Sequence, residues 1–117
     1  MNVFDVLGDP VRRRILELLQ GKELSSGAIV EVIGKEFGIT QAAVSQQLRV
    51  LREAEFALVT PQGARRIYRI GPAAFREVDA WLEGFRNEWV GRLDDLAEEI
   101  KRGKEEAKVL EKRSEVA

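Results

Sequence analysis

The chain contains no cysteine and no histidine among its 117 residues. Without cysteine there is no disulfide scaffold, no thiolate zinc site and no thiol nucleophile; without histidine a Ser-His-Asp arrangement is excluded as well. Long apolar runs are missing too. No stretch approaches the roughly 18 residues of a membrane span, and the opening residues carry Asp5 and Asp9 rather than the basic segment of a secretion signal. A cytoplasmic protein with no membrane partner is therefore expected. Net charge is nearly absent, with 19 Lys and Arg against 20 Asp and Glu, which argues against a histone-like coat for nucleic acid. Apolar side chains are plentiful at 44% of the residues. That share excludes disorder of the whole chain and supports one domain, two at most.

The small net charge hides an asymmetry. Residues 1–70 hold 10 basic and 8 acidic side chains, net +2, and residues 71–117 hold 9 and 12, net −3; the two parts read as having different tasks. Val3, Phe4 and Leu7 form a short apolar cluster ending at Gly8. Asp9-Pro10 is a helix start, since Asp accepts from orphan N–H groups and Pro suits the first helical position. Val11, Ile15, Leu18 and Leu19 follow at helical spacing, and Gly21 stops the run. A second helix runs from the cap candidates Ser25-Ser26-Gly27 through Ile29, Val32, Ile33 and Phe37 to Gly38. Thr40 caps a third, over about Gln41 to Ala54, in which Val44, Leu48 and Leu51 recur at i, i+4 and i+7. Its other faces carry Gln41, Ser45, Gln46, Gln47, Arg49 and Arg52. Two helices joined by a short turn at Gly38-Ile39, the second with a polar, amide-rich outer face, are the signature of a helix-turn-helix.

The pattern changes at Ala57. Residues 57–60 read as a strand, Pro61-Gln62-Gly63 as a turn, and Arg65 to Ile70 as a second strand with Ile67 and Ile70 among Arg66, Tyr68 and Arg69. This hairpin, with Arg65 and Arg66 at its tip, suits a wing lying along a phosphate backbone. Gly71-Pro72 closes it. Phe75, Val78, Leu82, Phe85, Trp89, Leu93, Leu96 and Ile100 then follow at near-heptad spacing, with Trp81 widening the stripe and Gly84 and Gly91 weakening the helix locally. So long and aromatic a seam points to a homodimer interface, with Phe75, Val78, Leu82, Phe85, Trp89 and Leu93 as its residues. The expected organisation is a DNA-binding domain over residues 1–71, a dimerisation helix over 72–100, and a charged helical extension or frayed tail over 101–117. The fold class is mainly α with a small β-hairpin wing, a winged helix-turn-helix with a long C-terminal helix.

Three stretches carry a family resemblance. They are Phe4-Asp5-Val6-Leu7-Gly8-Asp9-Pro10-Val11-Arg12-Arg13-Arg14, Thr40-Gln41-Ala42-Ala43-Val44-Ser45-Gln46-Gln47-Leu48-Arg49, and Gly63-Ala64-Arg65-Arg66-Ile67-Tyr68-Arg69. In this order the chain resembles the ArsR/SmtB family of winged-helix repressors over about residues 3–100. The segment from Phe75 to Trp89 looks like its metal-independent, actinobacterial-type branch. The resemblance implies a dimeric repressor that binds an imperfect palindrome near its own promoter. Two departures stand out. Gln47 replaces the histidine usual before the leucine of the recognition helix. Glu55 stands where glycine or asparagine commonly follows that helix, so it either costs something at the turn or the helix ends differently.

The partners implied are double-stranded DNA and a second copy of the chain. Gln41, Ser45, Gln46 and Arg49 are the candidate base readers. Thr40, Gln47, Arg52, Arg65, Arg66, Tyr68 and Arg13 (or its neighbour Arg12) are candidate phosphate contacts. No cofactor and no metal is expected: the family's transition-metal sites need Cys, or His beside carboxylates, and Asp94, Asp95, Glu98 and Glu99 read as a solvated acidic face. No nucleophile has a base to activate it, so an enzyme is not expected. Two alternatives remain open. One is a protein-interaction module that never binds DNA; the other is a repressor gated by an apolar small molecule at an aromatic-lined dimer interface. A small-molecule or protein effector is thus left open.

Overall fold

The computed structural model describes the backbone of residues 1–116 and the side chains of residues 1–114. Each helix of the first part begins where a side-chain oxygen can take its orphan N–H groups. Asn2 caps α1 (Val3–Leu7) in a reciprocal box with Asp5. Asp9 caps α2 (Pro10–Leu18), accepting from the N–H groups of Val11 and Arg12 at 2.8 and 3.2 Å. Ser25 caps α3 (Ser26–Phe37) and Thr40 caps α4 (Gln41–Glu53). α3 ends on Gly38 at φ 63°, a left-handed conformation that a residue without Cβ adopts at no steric cost, and the chain turns there into α4.

α4 ends with the same geometry but a different residue. Glu55 N–H donates to the Arg52 carbonyl at 3.1 Å and Phe56 N–H to the Leu51 carbonyl at 3.0 Å, the paired bonds of a Schellman cap. Glu55 itself sits at φ 63°. The helix therefore ends in the ordinary way, and Glu55 bears a left-handed strain of about 1 kcal/mol. Glu55→Gly is expected to raise the unfolding free energy by about 0.5–1 kcal/mol in urea titrations followed by circular dichroism. A fall in stability would mean that the Glu55 side chain makes a contact worth more than the strain.

The hairpin has a third strand beside it. β1 (Leu24–Ser25), β2 (Ala57–Gln62) and β3 (Arg65–Ile70) form an antiparallel sheet in the order β1-β3-β2. β1 was not legible as a strand, because two residues carry no alternation. Gln62 pairs with Arg65, leaving Gly63-Ala64 as a two-residue turn with Gly63 at φ 63°, where glycine is the natural occupant. Pro61 and Gln62, expected in the turn, belong to β2 instead. Proline is tolerated there because β2 is an edge strand.

The pleat of the wing settles which residue of β3 faces the core. Ile67 and Ile70 are three apart, so a strand of period two cannot place both on one face. Tyr68 is the residue turned to the core, at 3% exposure, between Leu24 of β1 and Val59 of β2. It is a core residue, not the exposed phosphate contact expected at the wing.

Val44, Leu48 and Leu51 form the buried row of α4 and pack with Ile15, Ile29 and Phe56 in one core. Arg14 ties α2 to α3 through a two-pronged pair with Glu36, Nε to Oε2 at 2.9 Å and Nη2 to Oε1 at 3.0 Å. The hydrogen bonds from Arg14 hold the Glu36 carboxyl below the usual carboxylate range. Because this pair lies at the surface, its contribution to stability is small.

α5 (Pro72–Val116) is 45 residues long. Its first two turns belong to a compact unit spanning Met1–Asp79, and a second unit begins at Ala80. Phe75 and Val78, expected in a dimer seam, are instead partly buried against the core of their own domain, with Phe75 edge-to-face on Phe56 at 5.0 Å. The compact unit thus reaches beyond the residue 71 boundary read from the sequence. From residue 80 to residue 114 every side chain is exposed. The helix continues through Gly84 and Gly91 and through the charged extension to Val116; Ala117, the last residue of the expected tail, lies outside the described residues. Among the described residues no helix is long and apolar enough to cross a membrane.

Candidate nucleic-acid interface

Burying Val44, Leu48 and Leu51 forces the opposite side of α4 outward. Gln41, Ser45 and Arg49 follow one another at intervals of four, one turn apart on a helix, and all three are exposed. Ala42 and Gln46 form a parallel exposed row beside them. The four candidate base readers therefore share one face, with small side chains at Ala42 and Ser45 that leave room for close approach. Thr40 sits at the head of this face, but its hydroxyl oxygen is used, accepting from Ala43 N–H at 3.1 Å. Arg52 is half-buried near the other end.

Arg49 has a partner beyond those expected from the sequence. Its Nε lies 2.9 Å from Glu53 Oε1, with the two side chains 62% and 60% exposed. The i, i+4 spacing that produces this pair was legible all the same. An exposed pair of this kind contributes about 0.3–0.5 kcal/mol, so Arg49 can exchange it for a phosphate or a guanine at small cost.

Arg12 and Arg13 both donate to backbone carbonyls of α1. Arg12 donates from Nε to the Val6 carbonyl at 2.8 Å, from Nη2 to the Asp5 carbonyl at 3.0 Å and from Nη1 to Gln47 Oε1 at 2.9 Å. Its side chain is 11% exposed and 3.9 Å from the Asp9 carboxylate. All three guanidinium nitrogens are engaged, so Arg12 is removed from the phosphate contacts. Arg13 donates from Nη1 to the Leu7 carbonyl at 2.6 Å. It lines a groove of about 360 Å³ with Leu7, Leu16, Ile70 and Phe75 and is itself exposed. The link from Arg12 to Gln47 crosses 35 residues of sequence, and no local pattern announces it.

The wing arginines, Arg65 and Arg66, are exposed and adjacent at the start of β3. Both line a groove of about 550 Å³ with Ser26, Gly27 and Glu31 from the first turns of α3. Arg69 is held within the hairpin, Nη1 donating to Thr60 Oγ1 at 2.6 Å.

The chain and its fold have counterparts among known proteins. Residues 7–60 match a helix-turn-helix domain. The chain is 31% identical over 86 residues to the transcriptional repressor SdpR of Bacillus subtilis, covering 74% of this chain and 91% of that protein. Its structure is similar to that of a possible transcriptional regulator for arsenical resistance, at 29% identity and TM-score 0.62 over 73% of this chain and 84% of the other. The homodimeric winged helix-turn-helix DNA-binding domain of a possible ArsR-family regulator from Mycobacterium bovis shares the fold. Its identity is 24% and its TM-score 0.55, over 74% of this chain and 76% of that one. From the capped helices to the wing, and along most of the length of its relatives, the chain belongs to the ArsR family of winged helix-turn-helix transcriptional regulators.

Proposed function

We propose that this regulator is a homodimeric, sequence-specific repressor that binds an imperfect palindrome near its own promoter without a transition metal. The observation that carries the DNA reading is the exposed row of Gln41, Ser45, Gln46 and Arg49 opposite the buried row of α4. Amides and guanidinium groups on one helix face match the donor and acceptor edges of bases in a major groove. Arg52, Arg65 and Arg66 supply charge for the flanking phosphates. The dimer reading rests on Leu82, Phe85, Trp89 and Leu93, all of them exposed along α5. A second copy is the economical cover for such a stripe, and two related recognition helices then meet half-sites about 10 base pairs apart. Independence from transition metals follows from donor chemistry, because the chain offers neither thiolate nor imidazole.

The test is fluorescence anisotropy against the DNA upstream of the protein's own coding sequence and a scrambled duplex, at two salt concentrations. Sequence preference with steep salt dependence is expected. A folded dimer that binds neither duplex would move the reading to a protein-interaction module. Arg65→Ala with Arg66→Ala is expected to weaken both duplexes by a similar factor. It should also flatten the salt slope by about 3–4 for the dimer, because each wing then leaves two more phosphates unneutralised. An effect confined to the preferred duplex would make the wing a base reader. A second reading, gating by an apolar small molecule, is favoured by a groove of about 360 Å³ lined by Leu7, Leu16, Ile70 and Phe75, which lies within the compact unit rather than on the exposed stripe of α5 proposed as the dimer interface.

A further inference from the structure

Arginine carries five N–H donors and no acceptor. The Gln47 atom 2.9 Å from Arg12 Nη1 is therefore the amide oxygen, on chemical grounds alone, and the opposite amide orientation would set donor against donor. Oε1 spends one of its two acceptor positions on Arg12, and with the amide oriented that way Nε2 is the end turned from Arg12, with two hydrogens to donate. Reading adenine with glutamine needs both halves of the amide, the oxygen accepting from N6 while the nitrogen donates to N7. Gln47 could make that contact only by sharing its oxygen between adenine N6 and the charged Arg12, which disfavours it as a base reader.

Its place on α4 agrees. Gln47 is half-buried, between the exposed row of Gln46 and the buried row of Leu48, at the margin of the reading face where a groove gives way to its phosphates. Arg12 is firmly placed to impose the orientation. It is nearly buried, and its other nitrogens close the last turn of α1 on the carbonyls of Asp5 and Val6. The guanidinium cannot turn away from Gln47 without giving up its bonds to the Val6 and Asp5 carbonyls, of which Asp5 alone keeps a second donor, Gly8 N–H at 3.2 Å.

We propose that Arg12, without touching DNA, orients the amide of Gln47 so that its Nε2 donates to the DNA backbone. Arg12 is a positioning residue and Gln47 a sequence-neutral anchor, which leaves Gln41 and Gln46 as the amides of α4 free to read adenine. The proposal rests on the DNA-binding reading above.

The experiment uses full-length dimer, a duplex enriched by the wild-type protein from a randomised library, and a scrambled duplex of equal composition. Anisotropy at two salt concentrations and thermal melting are measured for each variant. Gln47→Met is expected to weaken both duplexes about a hundredfold or more, since each protomer of the dimer loses a hydrogen bond to a charged group. The preference ratio and the salt slope stay unchanged, because a neutral amide releases no counterion. Gln47→Glu keeps an acceptor for Arg12 and so keeps or raises the melting temperature, yet binds both duplexes more weakly than Gln47→Met. Arg12→Lys cannot serve two carbonyls and an amide together. It is expected to weaken DNA binding when residue 47 is Gln and to have little further effect in the Gln47→Met background.

Binding by Gln47→Glu at the wild-type level would overturn the proposal, as would a weakening confined to the enriched duplex. An equal cost of Arg12→Lys in both backgrounds would reduce Arg12 to a structural residue and overturn its positioning role. Should Arg12→Lys fail to fold, the two Gln47 variants still decide whether the anchor exists. Wild-type protein that binds neither duplex would overturn the DNA reading itself, an outcome distinct from all of these.

Discussion

Truncating Phe56 to alanine is expected to lower the unfolding free energy by about 3–5 kcal/mol, the range for a buried aromatic that leaves a cavity. Phe56 is 0% exposed, and three parts of the DNA-binding domain meet on it. Its N–H closes the cap of α4 on the Leu51 carbonyl at 3.0 Å, and its carbonyl accepts from Gly71 N–H at 2.8 Å just before α5 begins. Its ring stands edge-to-face on Phe75 at 5.0 Å and 85°, a contact worth about 0.5–1.5 kcal/mol beyond area burial. Cavity collapse would offset part of the cost only if Phe75 moved inward, which would pull the first turns of α5 with it. The measurement is thermal and urea unfolding by circular dichroism at fixed protomer concentration, because association adds to apparent stability. A shift of the melting temperature by more than about 10 °C is expected for a domain of this size. A cost below about 1.5 kcal/mol would show that the junction of helix, wing and α5 repacks freely.

The elements that depend on local chemistry were legible in the sequence. Asp9-Pro10, Ser25, Thr40 and Gly38 each specify a helix end through groups within three residues. Val44, Leu48 and Leu51 specify the buried face of α4 by period alone. The misreadings occurred where a second element decides the outcome. β1 is a strand only because β3 offers Ile67 and Tyr68 as partners. Tyr68 turns inward because the pleat aligns it with Leu24 and Val59, whatever its polar end suggests. Phe75 and Val78 continue the apolar stripe of α5, and no spacing rule separates the turns that cover their own core from those that do not. At the candidate interface the rows of α4 followed from the helix period. The engagement of Arg12 with Gln47 did not, since it depends on how α1, α2 and α4 pack.

Trp89→Glu is expected to convert the proposed dimer to monomers while leaving the DNA-binding domain folded. Trp89 is 64% exposed and far in sequence from the core, which recruits α5 only through its first turns. Covering an indole in a dimer removes about 120 Å² of apolar surface from water, or about 3 kcal/mol at 25 cal/mol per Å², and two-fold symmetry doubles it. Forfeiting about 6 kcal/mol weakens association by about 10⁴-fold, before the cost of desolvating two carboxylates. The spacing sharpens the choice of residue. Leu82, Phe85, Trp89 and Leu93 are separated by 3, 4 and 4 residues, a local period near 3.67 that keeps the stripe on one side of a nearly straight helix, with Trp89 as its largest side chain. Light scattering should give the monomer mass at micromolar protomer concentration. Circular dichroism should show a fall in helix content, because an unpartnered helix containing Gly84, Gly91 and Gly103 is marginal in water. DNA affinity should fall as well, since a monomer engages one half-site and forfeits the effective concentration that the second provides. An intact Trp89→Glu dimer would place the homodimer contact elsewhere. The groove formed by Leu7, Leu16, Ile70 and Phe75 would then be the next surface to substitute.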